Sequence, residues 1–223
     1  METALILTGH VRSFARCKQN ILNFFCDDKT DIYACTWNDQ GEYSLAEKFN
    51  LPIKKQAILP AWQPNTFIPI HRADDIFSLN QRAADHLRAG WVERLQQQWY
   101  CVKKGFELLE DYRKYRVIAR CRFDLLLQSG SFSLKDLDSI NTPMPNSTNL
   151  YNDHFAWGNA SVMKKYCNIV DYIYTIYMKY NIDISNAEEM LKFYMEEFGS
   201  KTKTTTHNIN YTVAKIKNDN TRI

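Results

Sequence analysis

The apolar positions along the first forty residues change period twice. Ala4-Leu5-Ile6-Leu7 is an unbroken apolar run that stops at Thr8-Gly9-His10, the pattern of a buried strand running into a tight turn. Phe14, Cys17, Ile21 and Phe24/Phe25 then recur at helical spacing behind Ser13, a residue type that caps helices, which predicts a helix with one apolar face. Asp31-Ile32-Tyr33-Ala34-Cys35-Thr36-Trp37 returns to an extended pattern. Strand, turn, helix and strand in that order form a βαβ unit, whose two strands lie parallel.

Periodicity then fades. Between about residues 41 and 88, Lys55 to Leu59 reads as a strand, while Pro52, Pro60, Pro64 and Pro69 interrupt regular structure, so a long connecting region with functional loops is expected. Trp91, Leu95, Trp99, Val102, Phe106 and Leu109 mark the apolar stripe of a long amphipathic helix. Arg116 to Asp124 follows as a strand with a polar end, and after a loop with Pro143 and Pro145 comes Tyr151 to Gly158. Val162, Tyr166, Ile169/Val170, Ile173 and Tyr177 predict a second helix. Ser185 to Glu188 has the spelling of a capping box, opening a third helix with Leu191, Tyr194/Met195 and Phe198 inward. A polar stretch from Lys201 to Thr206 precedes Ile209, Tyr211 and Val213, which alternate like a strand.

Composition narrows the class. With 223 residues, 45% apolar and 24% charged, the chain can bury a real core as one α/β domain. A formal charge of +3 is spread out, with no block of consecutive basic residues, so nucleic acid is not an expected partner. No stretch is apolar for long enough to span a membrane, and Met1-Glu2-Thr3-Ala4-Leu5 has no signal-peptide character, so a cytoplasmic location is expected. Six cysteines show no Cys-x-x-Cys and no zinc spacing and read as reduced core thiols.

Three places carry candidate chemistry. In Thr8-Gly9-His10-Val11-Arg12, a glycine turn at a helix N-terminus with a guanidinium nearby suits a phosphate; an ordinary βα turn with a solvated Arg12 is the competing reading. Strand alternation puts Arg120, Arg122 and Asp124 on one face, where two cations and a carboxylate suit a diphosphate and a bridging metal, or else an edge-strand salt bridge. Asn152-Asp153-His154 offers a general base in Asp153, or simply a helix cap. Glu188 is accounted for by the capping box, leaving Glu189 freer for a functional role. Asp136-Leu137-Asp138 spells Asp-x-Asp but lies in a polar surface stretch and is set aside as a decoy. There is no Gly-x-Gly-x-x-Gly, no Walker spelling and no nucleophile elbow.

Taken together, Leu5 to Arg12 with Tyr33 to Trp37, Val117 to Asp124, and Asn152 to Gly158 followed by Ala187-Glu188-Glu189-Met190-Leu191 resemble a group of GT-A-like glycosyltransferases from bacterial surface-polysaccharide loci and large DNA viruses. The chain is especially similar to viral domains associated with glycosylation of algal-virus capsid protein, which would place it in the host cytoplasm. The resemblance runs over about residues 4 to 198, with the middle third unmatched. It implies a GT-A-like (Rossmann-like) single α/β domain over 1–223, with a central mixed, mostly parallel sheet flanked by helices. The nucleotide-binding part would cover about 1–127 and the acceptor side about 128–223.

The implied activity moves a sugar from a nucleotide-sugar donor, UDP-sugar favoured, to a glycan or glycoprotein hydroxyl, with inversion favoured, although a retaining enzyme could use the same donor site. The implied donor site comprises Thr8, Gly9, His10, Arg12, Trp37, Gln98, Arg120 and Arg122, with Lys103 more simply solvated. Asp153 is the implied base, and His154 and Glu189 lie on the acceptor side. Mn²⁺ or Mg²⁺ would sit on Asp124, with His207 approaching from the C-terminal strand. This sequence departs from the family spelling where Arg122 stands in place of the first carboxylate of Asp-x-Asp, leaving the metal with less ligand support. A noncatalytic sugar-nucleotide or glycan-binding module, and another α/β transferase such as a methyltransferase, are the alternatives.

Overall fold

The computed structural model describes residues 2–38, 44–61, 91–130, 132–144, 152–173, 175–176, 187–198 and 202–214. The predicted opening is observed as β1 (Thr3–Thr8), α1 (Phe14–Phe25) and β2 (Thr30–Trp37). A short helix α2 (Leu45–Phe49) and β3 (Ile53–Leu59) fall where only one strand was expected. Then come α3 (Trp91–Glu107), β4 (Val117–Arg122) and β5 (Leu125–Ser129). β6 (Ile140–Pro143), β7 (Phe155–Gly158), α4 (Ala160–Cys167), α5 (Ala187–Phe193), β8 (Thr204–His207) and β9 (Asn210–Val213) complete the order.

Seven strands form one sheet in the order β3-β2-β1-β4-β7-β6-β8, and β5 pairs with β9 in a separate ribbon. β7 runs antiparallel to both its neighbours, while β3, β2, β1 and β4 are mutually parallel and β8 is parallel to β6. The sheet is therefore mixed and mostly parallel, as expected. Every residue of β1 is buried, which follows from helices covering both faces and explains why its sequence is a continuous apolar run rather than an alternating one. Leu5 and Leu7 point to the face covered by Phe14, Cys17 and Ile21 of α1. Ala4 and Ile6 point to the other, beneath Leu95, Trp99 and Val102 of α3 and Val162 and Tyr166 of α4.

Local chemistry modifies several expectations. Ser13 sits at the N-cap of α1, yet its hydroxyl makes no cap bond and donates to the Ala214 carbonyl at 2.9 Å. The second predicted helix ends at Cys167 and continues as a 3₁₀ turn, Ile169–Asp171, that keeps Ile169 and Val170 buried. Its member Tyr177, and Ser185 of the capping box, lie outside the described residues. All six cysteines are reduced. Among the described residues no helix is long and apolar enough to cross a membrane.

α3 approaches the sheet closely at Gly105. A Cβ there would stand 2.8 Å from Ile6 Cγ2 and 2.9 Å from Thr8 Cγ2, both methyls of β-branched side chains on a buried strand with little rotamer freedom. Alanine would gain up to about 1 kcal/mol of helix propensity, whereas overpacking of this kind costs about 1–3 kcal/mol. Gly105→Ala is therefore expected to lower unfolding stability by about 1–2 kcal/mol in urea titration; a stabilised variant would contradict the close approach.

Candidate functional site

From β1 the chain builds outward to β2 and β3, then crosses back to lay β4 on the other side of β1. The sheet order thus reverses between β1 and β4, and ligands of open α/β sheets bind outside the carboxyl ends of the strands at such a reversal. Thr8 and Arg122 are direct partners in the β1–β4 register, so both strands end at the same level.

A cavity of about 540 Å³ opens at that place, within the size range of small-molecule sites. Gly9, His10 and Arg12 line it from the turn after β1, and Trp37 from the end of β2. Arg94, Gln97 and Gln98 line it from α3, and Arg120, Arg122 and Asp124 from β4 and the turn beyond. Gly9 adopts φ +106°, with open space where a Cβ would be; the turn needs glycine for its backbone conformation rather than for room. Its N–H is already bonded to the Cys35 carbonyl at 3.2 Å, and that of Phe14 to Val11 at 3.0 Å. Side-chain charge, more than backbone N–H groups, therefore sets the character of the cleft. Four guanidinium groups against one carboxylate leave a surplus of three positive charges among the described lining residues.

The two β4 arginines are held differently. Arg120 is 1% exposed; its Nε donates to Thr8 Oγ1 at 2.9 Å, one Nη donates to the Asp153 carbonyl, and its guanidinium lies 5.9 Å from the Trp99 ring centre. Arg122 forks onto Asp124, Nε to Oδ1 at 2.8 Å and Nη2 to Oδ2 at 2.6 Å. Burial works against the Arg122 charge, but the Asp124 carboxylate more than offsets it and holds the pKa above its ordinary value. β4 is central to the sheet, so the edge-strand reading fails although the mutual ion pair it anticipated is present.

Behind the cleft wall lies a second polar group. Asp153 is 5% exposed and its Oδ2 accepts from the cleft-lining Gln98 at 2.6 Å, so the carboxylate is one side chain removed from the cavity. It does not cap a helix: β7 follows it, and Asn159 caps α4 through the Val162 N–H at 2.9 Å. Asn152 Oδ1 accepts from the His154 N–H, and Tyr211 of β9 meets both the Asn152 amide and His154 Nδ1. Burial lowers the His154 pKa; the Arg122 and Arg120 charges reinforce that shift and Asp153 opposes it. Burial, and then the charge of Asp153, raises the pKa of Glu188.

The structure thus gathers Gly9, His10, Arg12, Trp37, Gln98, Arg120, Arg122 and Asp124 around one cavity. Thr8 stands behind it as the acceptor for Arg120. Trp37 is largely buried and stacks on Tyr100, with ring centres 6.1 Å apart. Lys103 pairs with Asp171 instead of lining the cleft. Glu189 is the exposed member of its pair, and Glu188 is the one half-buried in the field of Asp153.

His207 is also displaced from its expected place. It lies on β8, three strands from β4, with Nε2 2.7 Å from Asn141 Oδ1 and its ring against Trp157; three inter-strand spacings are about 14 Å, too far to share an ion with Asp124. Asp136 and Asp138 bond to Thr205 and Asn159, away from the cleft, consistent with a decoy. Arg94 and Gln97 are lining residues that the sequence reading missed. They stand four and one positions before Gln98 on α3, and the helical repeat could have found Arg94 from it.

These residues do not by themselves fit a divalent ion. Both oxygens of Asp124 are engaged by Arg122. Mn²⁺ or Mg²⁺ takes about six oxygen ligands, and an ion on Asp124 about 5 Å from the guanidinium would meet repulsion on the order of 7 kcal/mol at an effective dielectric of about 20. No protein-family model matches the chain, and no curated protein matches it.

The His154 geometry yields a pH prediction. Its folded-state pKa lies below the ordinary value, so the unfolded chain takes up a proton first as pH falls below about 6.5, and the stability of the folded state declines there. His154→Asn removes that contribution. Its destabilising effect in urea titrations should be largest near pH 8 and smaller near pH about 5.5; a pH-independent difference would refute a folded-state pKa below the ordinary value.

Proposed function

We propose that the chain is a glycosyltransferase of GT-A type that binds a nucleotide-sugar donor, UDP-sugar favoured, in the cleft between β1 and β4 and transfers the sugar to a glycan or glycoprotein hydroxyl. The observation that carries this reading is the cationic cavity at the sheet reversal, lined together by the Thr8-to-Arg12 turn and the Arg120-to-Asp124 strand end. A mixed sheet flanked by helices is the architecture the motif resemblance implies. A surplus of guanidinium groups suits a dianionic leaving group and gives no advantage to the cationic sulfonium of a methyl donor, which sets the methyltransferase alternative aside.

In an inverting displacement the acceptor oxygen forms its bond to the anomeric carbon as the bond from that carbon to the diphosphate oxygen breaks. The electron pair leaves with the nucleoside diphosphate, and the acceptor proton passes to a base. Arg122 and Arg120 favour the charge that grows on the leaving group, an effect that is strong where water is excluded. Asp153 is the candidate base, because its carboxylate accepts from Gln98, a side chain that lines the cavity. Glu188, Asn152, His154 and Tyr211 form the acceptor side around it.

The test is nucleoside diphosphate release from a panel of UDP-, GDP- and dTDP-sugars with Mn²⁺ present. Slow release is expected without acceptor, fastest from a UDP-sugar. Asp153→Asn should cut kcat by about 10²–10⁴-fold while UDP affinity stays within about threefold. Binding without release would instead mark a noncatalytic module, and no interaction with any donor would overturn the reading.

A further inference from the structure

We propose that this cleft neutralises the donor's diphosphate with guanidinium groups alone, so that nucleotide binding and turnover proceed without a divalent ion. The inference rests on the proposed donor site and concerns how charge is balanced within it. A metal-bridged diphosphate needs a carboxylate with lone pairs directed at the ion, and Asp124 directs both oxygens at Arg122 in a two-toothed fork. Arg122 thus engages the carboxylate and adds a cation beside it.

The fork leaves Arg122 well suited to the work an ion would do. Guanidinium carries five N–H groups; Asp124 takes two, and the other three make no hydrogen bond to another described residue. Two parallel donors on a planar group match a phosphate better than a point charge does. Arg120 stands beside it on the same face of β4, pinned by Thr8 and the Asp153 carbonyl, so its guanidinium needs no reorganisation when a ligand arrives. Arg12 and Arg94 complete the cationic lining. In this arrangement Asp124 is a positioning residue that aims Arg122, and the leaving diphosphate keeps its negative charge against fixed guanidinium groups.

The test is calorimetric titration of UDP into the purified protein, once with EDTA and once with Mn²⁺. The dissociation constants should agree within about threefold, uridine should bind at least about 100-fold more weakly than UDP, and Mn²⁺ alone should give no isotherm. Arg122→Gln should weaken UDP by about tenfold or more in EDTA, while Asp124→Asn costs about threefold or less. A metal-bridged site predicts the reverse order, and that order would overturn the proposal. Because a variant can lose its fold, the wild type supplies a second reading: in EDTA, raising NaCl from about 50 to about 500 mM should weaken UDP about tenfold or more, and salt-insensitive binding would also overturn it. UDP bound only with Mn²⁺ ends this inference and leaves the proposed function standing. UDP bound in neither condition ends both.

Discussion

The architecture of the cleft depends on burying one charged side chain. Arg120 has almost no exposed surface, and a guanidinium removed from water is tolerated only when its donors are met. Two of Arg120's five donors meet a hydroxyl at the end of β1 and a carbonyl just before β7, with the Trp99 ring of α3 alongside. Three elements on two sides of β4 are thereby fixed against one another. A misplaced β1 or β7 would strand a buried cation, so the cost of leaving it unmet enforces the alignment of both strands.

The Arg122–Asp124 pair acts in another way. Partly exposed ion pairs add little to stability, about 0–1 kcal/mol, and this one would be a weak reason to retain two charged residues at the end of a central strand. Its effect is geometric: a fork removes rotamer freedom from a long side chain before any ligand is present, which is what a site that stabilises developing charge requires. The shared polar group behind the wall follows the same logic. Gln98 touches Asp153 on one side and the cavity on the other, joining the region of the β1–β4 reversal to the region of Asn152, His154 and Tyr211.

Much of this was legible in the chain because the relevant signals were local. β1 announced itself by being apolar at consecutive positions, α1 and α3 by their stripes, and the β4 site by alternation alone, which placed Arg120, Arg122 and Asp124 on one face. The strands that escaped notice were the four-residue elements β6, β7 and β8. Thr204–His207 is polar and only half-buried, and Ile140–Pro143 ends in a proline; such segments become strands through pairing with neighbours, not through propensity. Leu125–Ser129 was missed for a related reason: it follows β4 after only two residues and pairs in a ribbon with β9, far along the chain. In the site, Arg94 and Gln97 were hidden on the polar side of a helix that attention to the apolar stripe passes over. Glu188 and Glu189 differ only by which side of α5 the chain turns inward, a matter that their adjacent positions do not resolve. His207 was misplaced because distance along a sheet is invisible until the strand order is known.

β9 gives the fold a particular history during synthesis. Its neighbour Ala214 accepts from Ser13 at the start of α1 and donates to the Asp124 carbonyl at 2.7 Å, and Tyr211 meets Asn152 and His154. The contact to Ser13 spans 201 positions, among the longest closures this chain can make, and closures of that length form late. The start of α1 and the turn beyond β4 are therefore clasped by a segment that leaves the ribosome after both of them.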